Sequence, residues 1–228
     1  MKLGIVFNTE SAFWYKMDPA FRAIVDKSDF QLCDGAALAL VSRWSGHKIG
    51  RYHGPDLMLN ILQDPRYQRV FLLGGDPVAH RKIMGDYALE GRIFSGDTAY
   101  YPERLPEEAV HPIITFRPDV VFVCLGLRKQ ERIAAQIKAA LPDQPGLVVG
   151  VGAAIDFLGG TKVRSGIFFQ RLGLEWLPRL IREPRMFVRI IRSVRALPMV
   201  WRGKVAIIEH KNFLTKFAEI HRLKTQIK

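Results

Sequence analysis

Short polar and glycine-rich clusters, set between apolar runs, are the places where this chain of 228 residues could do chemistry. They are Asn8-Thr9-Glu10, Asp34-Gly35, Gly74-Gly75-Asp76, the stretch 126–131 with Gly126, Lys129, Gln130 and Glu131, and the stretch 150–156 with Gly150, Gly152 and Asp156. Glycines at such points let the backbone approach a phosphate or a sugar closely. Carboxylates between them can move protons or accept hydrogen bonds. Asp56, behind the Gly54-Pro55 turn signal, carries the most weight among the carboxylates. At a helix N-cap its carboxylate would simply take a backbone N–H. Asp34, before Gly35, has a turn-forming explanation. Asp156 stands between Ile155 and Phe157, and a carboxylate in an apolar stretch needs a partner. Lys129-Gln130-Glu131 falls at a helix start, where solvated capping and ligand binding both fit.

Other chemistries lack their signatures. Gly150-Val151-Gly152 matches the start of a dinucleotide fingerprint, but the third glycine is missing and no acidic residue ending a following strand is recognised, so nicotinamide binding is not expected. There is no GxxxxGK[ST], no HExxH and no CxxC, and no nucleophile elbow is marked. Cys33 and Cys124 both lie inside apolar runs and read as buried small hydrophobes. The expectation is therefore no cofactor and no built-in metal site.

The elements that position these clusters follow from the apolar runs. Leu3-Gly4-Ile5-Val6-Phe7, Gln31-Leu32-Cys33, Arg69-Val70-Phe71-Leu72-Leu73, the stretch 119–125 and Leu147-Val148-Val149-Gly150-Val151 read as strands. Helices are predicted over 36–41, 56–62 and 130–140. Pro106, Pro112 and Pro118 mark a loop-rich crossing over about 102–118. Continuous apolar strands alternating with helices predict an α/β, Rossmann-like, mostly parallel sheet with helices on both faces. In such sheets ligands bind at the carboxyl ends of the strands, and each cluster falls at such an end.

Hydrophobic residues make up 48% and charged residues 25%, which excludes a disordered or collagen-like chain. No apolar run approaches the roughly 20 residues of a membrane span. The N-terminus reaches Asn8 before any signal-peptide core could form, so a cytosolic protein, or one on a cytosolic surface, is expected. Of the net charge of +12, the stretch 161–204 supplies nine, with eleven basic residues against Glu175 and Glu183. The division expected is a core over 1–160 and a basic helical C-terminal appendage over 161–228. After Pro184, Phe187, Val188, Ile191 and Val194 recur at helical spacing, and Arg185, Arg189 and Arg192 form a second stripe. This amphipathic helix has three readings: a solvated face, a nucleic-acid surface, or a surface for anionic lipid or a diphosphate headgroup. Arginine in place of lysine favours forked recognition of phosphate. No nucleic-acid reader motif is present, so nucleic acid is not expected as a partner.

Taken in order, the clusters resemble the WecG/TagA/CpsF family of glycosyltransferases (glycosyltransferase family 26). Asn8-Thr9-Glu10, Cys33-Asp34-Gly35, Gly54-Pro55-Asp56-Leu57 and Phe71-Leu72-Leu73-Gly74-Gly75 are similar to its early motifs. Arg117-Pro118-Asp119 with Leu125-Gly126 and Lys129-Gln130-Glu131, then the run 150–157, resemble its central ones. Leu172-Gly173-Leu174-Glu175-Trp176-Leu177 with Arg179-Leu180 and Glu183-Pro184-Arg185 is close to its C-terminal signature. Leu127-Arg128 departs from it, standing where the family has a small residue and proline. The resemblance implies metal-independent, inverting transfer of a sugar from a nucleotide donor, typically UDP-linked, to a polyprenyl-diphosphate-linked sugar. That transfer would take place at the cytoplasmic face of the inner membrane, on the way to a surface polysaccharide or exopolysaccharide. It implies Asp56 as the base. Asn8, Asp34, Gly35, Gly74, Gly75, Gly126, Lys129, Gln130, Glu131, Gly152 and Asp156 would hold the donor. Arg164, Arg179, Arg185, Arg189 and Arg192 would meet phosphate on the leaving group or the acceptor. Two rivals stay open: a non-catalytic sugar-nucleotide-binding protein and a basic nucleic-acid-binding module. The oligomeric state is also open, a homo-oligomer included.

Overall fold

The computed structural model describes residues 1–44, 51–88, 91–163, 180 and 186–201. Six strands form one sheet: β1 (Lys2–Phe7), β2 (Phe30–Cys33), β3 (Arg69–Leu73), β4 (Ile93–Asp97), β5 (Val120–Val123) and β6 (Leu147–Gly150). Their order is β2-β1-β6-β5-β3-β4, and every pairing is parallel. Parallel strands buried on both faces read as unbroken apolar runs. Accordingly Val120, Val121, Phe122 and Val123 of β5 are all fully buried. At roughly 1.5–3 kcal/mol for each side chain fully removed from water, this central strand is a principal source of stability.

Alternate residues feed two cores. Leu3, Ile5, Phe7, Val121 and Val123 point into the first. It also takes side chains from α1 (Thr9–Met17), α2 (Pro19–Asp26), α3 (Ala36–Trp44), α6 (Glu107–Phe116), α7 (Lys129–Ala140) and the C-terminal α9 (Met186–Trp201). Val6, Leu32, Leu72 and Phe122 point into the second, against α4 (Gly54–Gln63), α5 (Pro77–Ala88) and α8 (Ala154–Leu158). The chain thus leaves β1 and β5 for one face and their neighbours β6 and β3 for the other. Strand ends that part in this way open a crevice at the carboxyl edge of the sheet.

Three expectations need correction. The stretch 102–118 is not merely loop: α6 fills 107–116 with Pro112 inside it. The helix persists because Ala109 and Ile113 bury an apolar side and Glu107 and Glu108 complement its N-terminus, while exposed Pro112 removes one backbone bond. The chain segment that connects β3 to β5 contains an unanticipated edge strand, β4, which pairs outside β3 and whose Ile93-Phe94-Ser95-Gly96-Asp97 sequence is only partly covered. Asp56 is not an N-cap. His53 occupies that position and Asp56 is the third residue of α4.

The C-terminal helix α9 packs on α1 and α3. Ala196 and Val200 are its buried face, while Phe187, Val188 and Val194 are at least half exposed. No helix among the described residues is long and apolar enough to cross a membrane. Of the expected basic features, Arg164, Arg179 and Arg185 and the tail beyond 201 lie outside the described residues.

Candidate functional site

Asp56 reaches the sheet edge because α4 begins against the end of β6. A Cβ on Gly54 would lie 3.0 Å from the Val151 carbonyl oxygen, so only glycine lets the helix start this close. Asp56 is therefore partly buried in a helical turn that abuts the Val151-Gly152 turn. A carboxylate there complements the positive end of the helix. The same corner receives β2: His53 Nδ1 lies 3.4 Å from Asp34 Oδ1, and the Asp34 N–H donates to the Phe7 carbonyl at 2.8 Å. Gly35 follows with φ +138° and faces Thr9. Asn8 caps α1, its Oδ1 accepting from the Ser11 N–H at 3.0 Å.

The turn after β6 is fastened from below by α7. Gln130 Oε1 accepts the Gly152 N–H at 2.8 Å, and Gln130 Nε2 donates to Glu131 Oε1 at 2.8 Å. Glu131 Oε2 accepts the Arg128 N–H at 2.6 Å. Gln130 and Glu131 are both buried, which removes the solvated-capping reading of this helix start. Burial pushes the Glu131 carboxyl up to about 7, against the hydrogen bonds from Gln130 and from the backbone; the nearby Glu10 charge pushes the same way as burial. Arg128 has φ +74°, a conformation closed to proline, and its guanidinium reaches Asp18 at 2.6 and 2.9 Å. Burial would raise the Asp18 carboxyl, but hydrogen bonds from the Phe21 N–H and Arg128, with the Arg132 charge, hold it below the usual range. Lys129 extends its ammonium to the Tyr100 hydroxyl, over the face of that ring.

Asp156 does have the partners its setting requires. Its Oδ1 accepts the Asp76 N–H at 3.0 Å and its Oδ2 meets Lys162 Nζ at 2.7 Å. It thereby ties α8 to the Gly74-Gly75 turn. Both glycines have positive φ, and a Cβ on Gly75 would fall 2.4 Å from Ile155 Cγ2. Gly74 is held by its carbonyl, 2.7 Å from His80 Nε2, and packs against Leu125. Gly126 is exposed above the turn, its carbonyl receiving the Lys129 and Gln130 N–H groups at 3.1 Å.

On the other side of the sheet the arginine stripe of α9 turns inward. Arg189 Nε is 2.7 Å from Glu10 Oε2, and Arg192 Nη1 is 3.3 Å from Glu10 Oε1. Glu10 is buried in the first turn of α1, and a buried carboxylate demands cations. Trp14 stacks with Arg192 at 4.9 Å and with Arg128 at 4.0 Å, so one indole joins α9 to the turn after β5.

The structure brings Asn8, Asp34, Gly35, Asp56, Gly74, Gly75, Gly126, Lys129, Gln130, Glu131, Gly152 and Asp156 to one edge through these contacts. Arg189 and Arg192 stand at the rim, at Glu10. Sequence reasoning missed the parts played by Trp14, Asp18, His53 and Arg128. For His53 the only signal was its place one residue before the Gly54-Pro55-Asp56 turn. Among the described residues no group of three or more His, Cys, Asp or Glu side chains is arranged to hold a metal ion.

The chain is similar to an N-acetylglucosaminyldiphosphoundecaprenol N-acetyl-beta-D-mannosaminyltransferase of Bacillus spizizenii. The two are 30% identical over 194 residues, which cover 82% of this chain and 74% of the relative. The family model for the glycosyl transferase WecG/TagA/CpsF family matches residues 2–210. With nearly the whole length matched, and the motif residues gathered at one sheet edge, the chain belongs to the WecG/TagA/CpsF family of glycosyltransferases.

Proposed function

We propose that the protein transfers a sugar, with inversion and without a metal ion, from a UDP-linked donor to a polyprenyl-diphosphate-linked sugar during surface or exopolysaccharide synthesis. The observation that carries this reading is the placement of Asp56 in the helical turn against the Val151-Gly152 turn, beside strand ends whose glycines admit a diphosphate. The acceptor class comes from the name of the Bacillus relative, which also specifies a β-configured product.

A single displacement needs one base. Asp56 takes the proton from the acceptor hydroxyl as that oxygen attacks the anomeric carbon. The carbon–oxygen bond to the nucleoside diphosphate breaks, and the leaving group departs with its charge. Such a base contributes about 10²–10⁴-fold. Lys129, the N-termini of α5 and α7, and the arginines of the basic appendage oppose the charge on the diphosphate groups. The division of labour is a donor-binding core over 1–160 and an appendage over 161–228 that meets the lipid diphosphate and an anionic membrane surface at the cytoplasmic face.

The test is to incubate the protein with UDP-sugars and a short polyprenyl-diphosphate saccharide in the presence of a chelator, then assign the product's anomeric configuration by NMR. The expected result is a product of inverted configuration, formed at an undiminished rate with chelator. Donor binding with neither transfer nor slow donor hydrolysis would instead identify a non-catalytic sugar-nucleotide-binding protein.

A further inference from the structure

Among the described residues only Arg117 and Arg128 combine a side chain with a positive φ. Arg117 takes the left-handed conformation at the end of α6, a common way to close a helix. Arg128 is different. With φ +74° and ψ −38° it lies near the γ-turn conformation, which is rare and strained for a residue that carries a Cβ. Strain of this kind persists only where the surroundings hold it, and it gathers at functional sites.

The guanidinium supplies the hold. Its Nε and Nη2 both donate to Asp18 Oδ2, at 2.9 and 2.6 Å, and its carbon lies 4.0 Å from the centre of the Trp14 ring. Asp18 is itself fixed, since its Oδ1 caps α2 by accepting the Ala20 and Phe21 N–H groups, both at 3.1 Å. What the strained backbone gains is direction. The Arg128 N–H donates to Glu131 Oε2 at 2.6 Å, Glu131 Oε1 accepts from Gln130 Nε2, and Gln130 Oε1 takes the Gly152 N–H. Gln130 and Glu131 are buried, so a partner lost from this row is costly. Contacts therefore run unbroken from the corner between α1 and α2 to the Gly152 turn, against which α4 carries Asp56. A proline at position 128 could not take part, having neither the N–H nor access to this φ.

We propose that Arg128 is a positioning residue: anchored on Asp18 and Trp14, its guanidinium holds the strained turn from which its N–H, through Glu131 and Gln130, sets the Gly152 turn for the donor. The side chain acts on the backbone and touches no substrate. This rests on the donor reading above and names what shapes that part of the site.

Steady-state kinetics on the full chain test it, with the UDP-sugars and the short polyprenyl-diphosphate saccharide named above, alongside amide exchange at Gly152. Arg128→Ala keeps the N–H but loses the hold on the strained φ. Donor KM should rise about tenfold or more, while kcat at saturating donor and acceptor KM stay within about twofold. Exchange at Gly152 should quicken by about the same factor. Arg128→Gly loses the guanidinium too, but glycine adopts this φ without strain, so donor KM should return to within about threefold of wild type. Asp18→Asn keeps the α2 cap and weakens the anchor, and should raise donor KM about threefold; added to Arg128→Gly it should change nothing further. Equal losses in the Ala and Gly variants would mean that the guanidinium acts directly, and would overturn the proposal. So would a donor KM unmoved by Arg128→Ala, or a parallel loss in kcat and both KM values. Should Arg128→Ala fail to fold, an unmoved donor KM in Asp18→Asn would overturn it. Each of these results leaves the transferase reading standing, whereas no transfer by wild-type protein would overturn both.

Discussion

The turns at the centre of the sheet edge and the α9 layer are held by different forces. At the centre, buried or largely buried side chains from other elements fix the turns: Gln130 holds Gly152, Asp156 holds Asp76 and His80 holds Gly74. Helix α9 is fastened chiefly by two part-exposed arginines around buried Glu10, by the stack on Trp14, and by Ala196 and Val200. Its residues Phe187, Val188 and Val194 face outward. Hydrogen bonds in a dry interior keep their geometry and resist salt, whereas contacts between part-exposed charges are screened. Fixed geometry therefore belongs to the first region, and adjustable attachment to the second.

The sharpest way to expose the difference is pH. Glu131 has an ordinary value of 4.5 and sits near 7 in the folded protein. The folded state thus holds a proton that the unfolded chain releases, and stability falls as pH rises from about 4.5 through about 7. The loss is on the order of 3–4 kcal/mol, at about 1.4 kcal/mol per pKa unit. Glu131→Gln should flatten this slope in denaturant melts taken across that window. A slope equal to the wild type's would mean that the Gln130–Glu131 pair is not buried as described.

Gln130→Ala should come next, with a stability loss of about 1–3 kcal/mol from the unpaired Gly152 N–H and the released Glu131. Donor affinity should fall at least about tenfold in calorimetry, since the turn proposed to face the donor is then unpinned. Unchanged affinity would remove this turn from the donor site.

The α9 layer should respond more weakly and only through charge. Arg189→Ala with Arg192→Ala should cost about 1–2 kcal/mol, because part-exposed partners return less than fully buried ones. The difference from wild type should shrink as salt is raised, and use of lipid-linked acceptor should be lost while donor binding is spared. Phe187→Ser should stay within about 0.5 kcal/mol of wild type, as expected for an exposed position. A large loss at Phe187 would show that its side chain is packed and not outward-facing.

Much of the fold was legible because five of the six strands are buried on both faces and so appear as unbroken apolar runs. β4 escaped notice since an edge strand needs no such run, and Ser95-Gly96-Asp97 reads as turn. α6 was hidden by its prolines, whose propensity is overridden by the packing of Ala109 and Ile113. The glycine turns were legible from local chemistry at predicted strand ends, whereas Asp56 read locally as an N-cap and its role as a base was implied only by the family resemblance. The Glu10–Arg189 and Asp18–Arg128 pairs join residues more than 100 positions apart, and no local pattern announces them. The outward apolar stripe of α9 has the same cause: the helix is turned by the carboxylate of Glu10, not by its own periodicity.

The most direct measurement is turnover of Asp56→Asn with lipid-linked acceptor, alongside donor affinity and a thermal melt. Turnover should fall by about two orders of magnitude or more, with donor affinity and melting temperature close to wild type, as removal of a general base requires. Near-normal turnover in this variant would contradict the assignment of the base and, with it, the reading of this sheet edge as the place where the sugar is transferred.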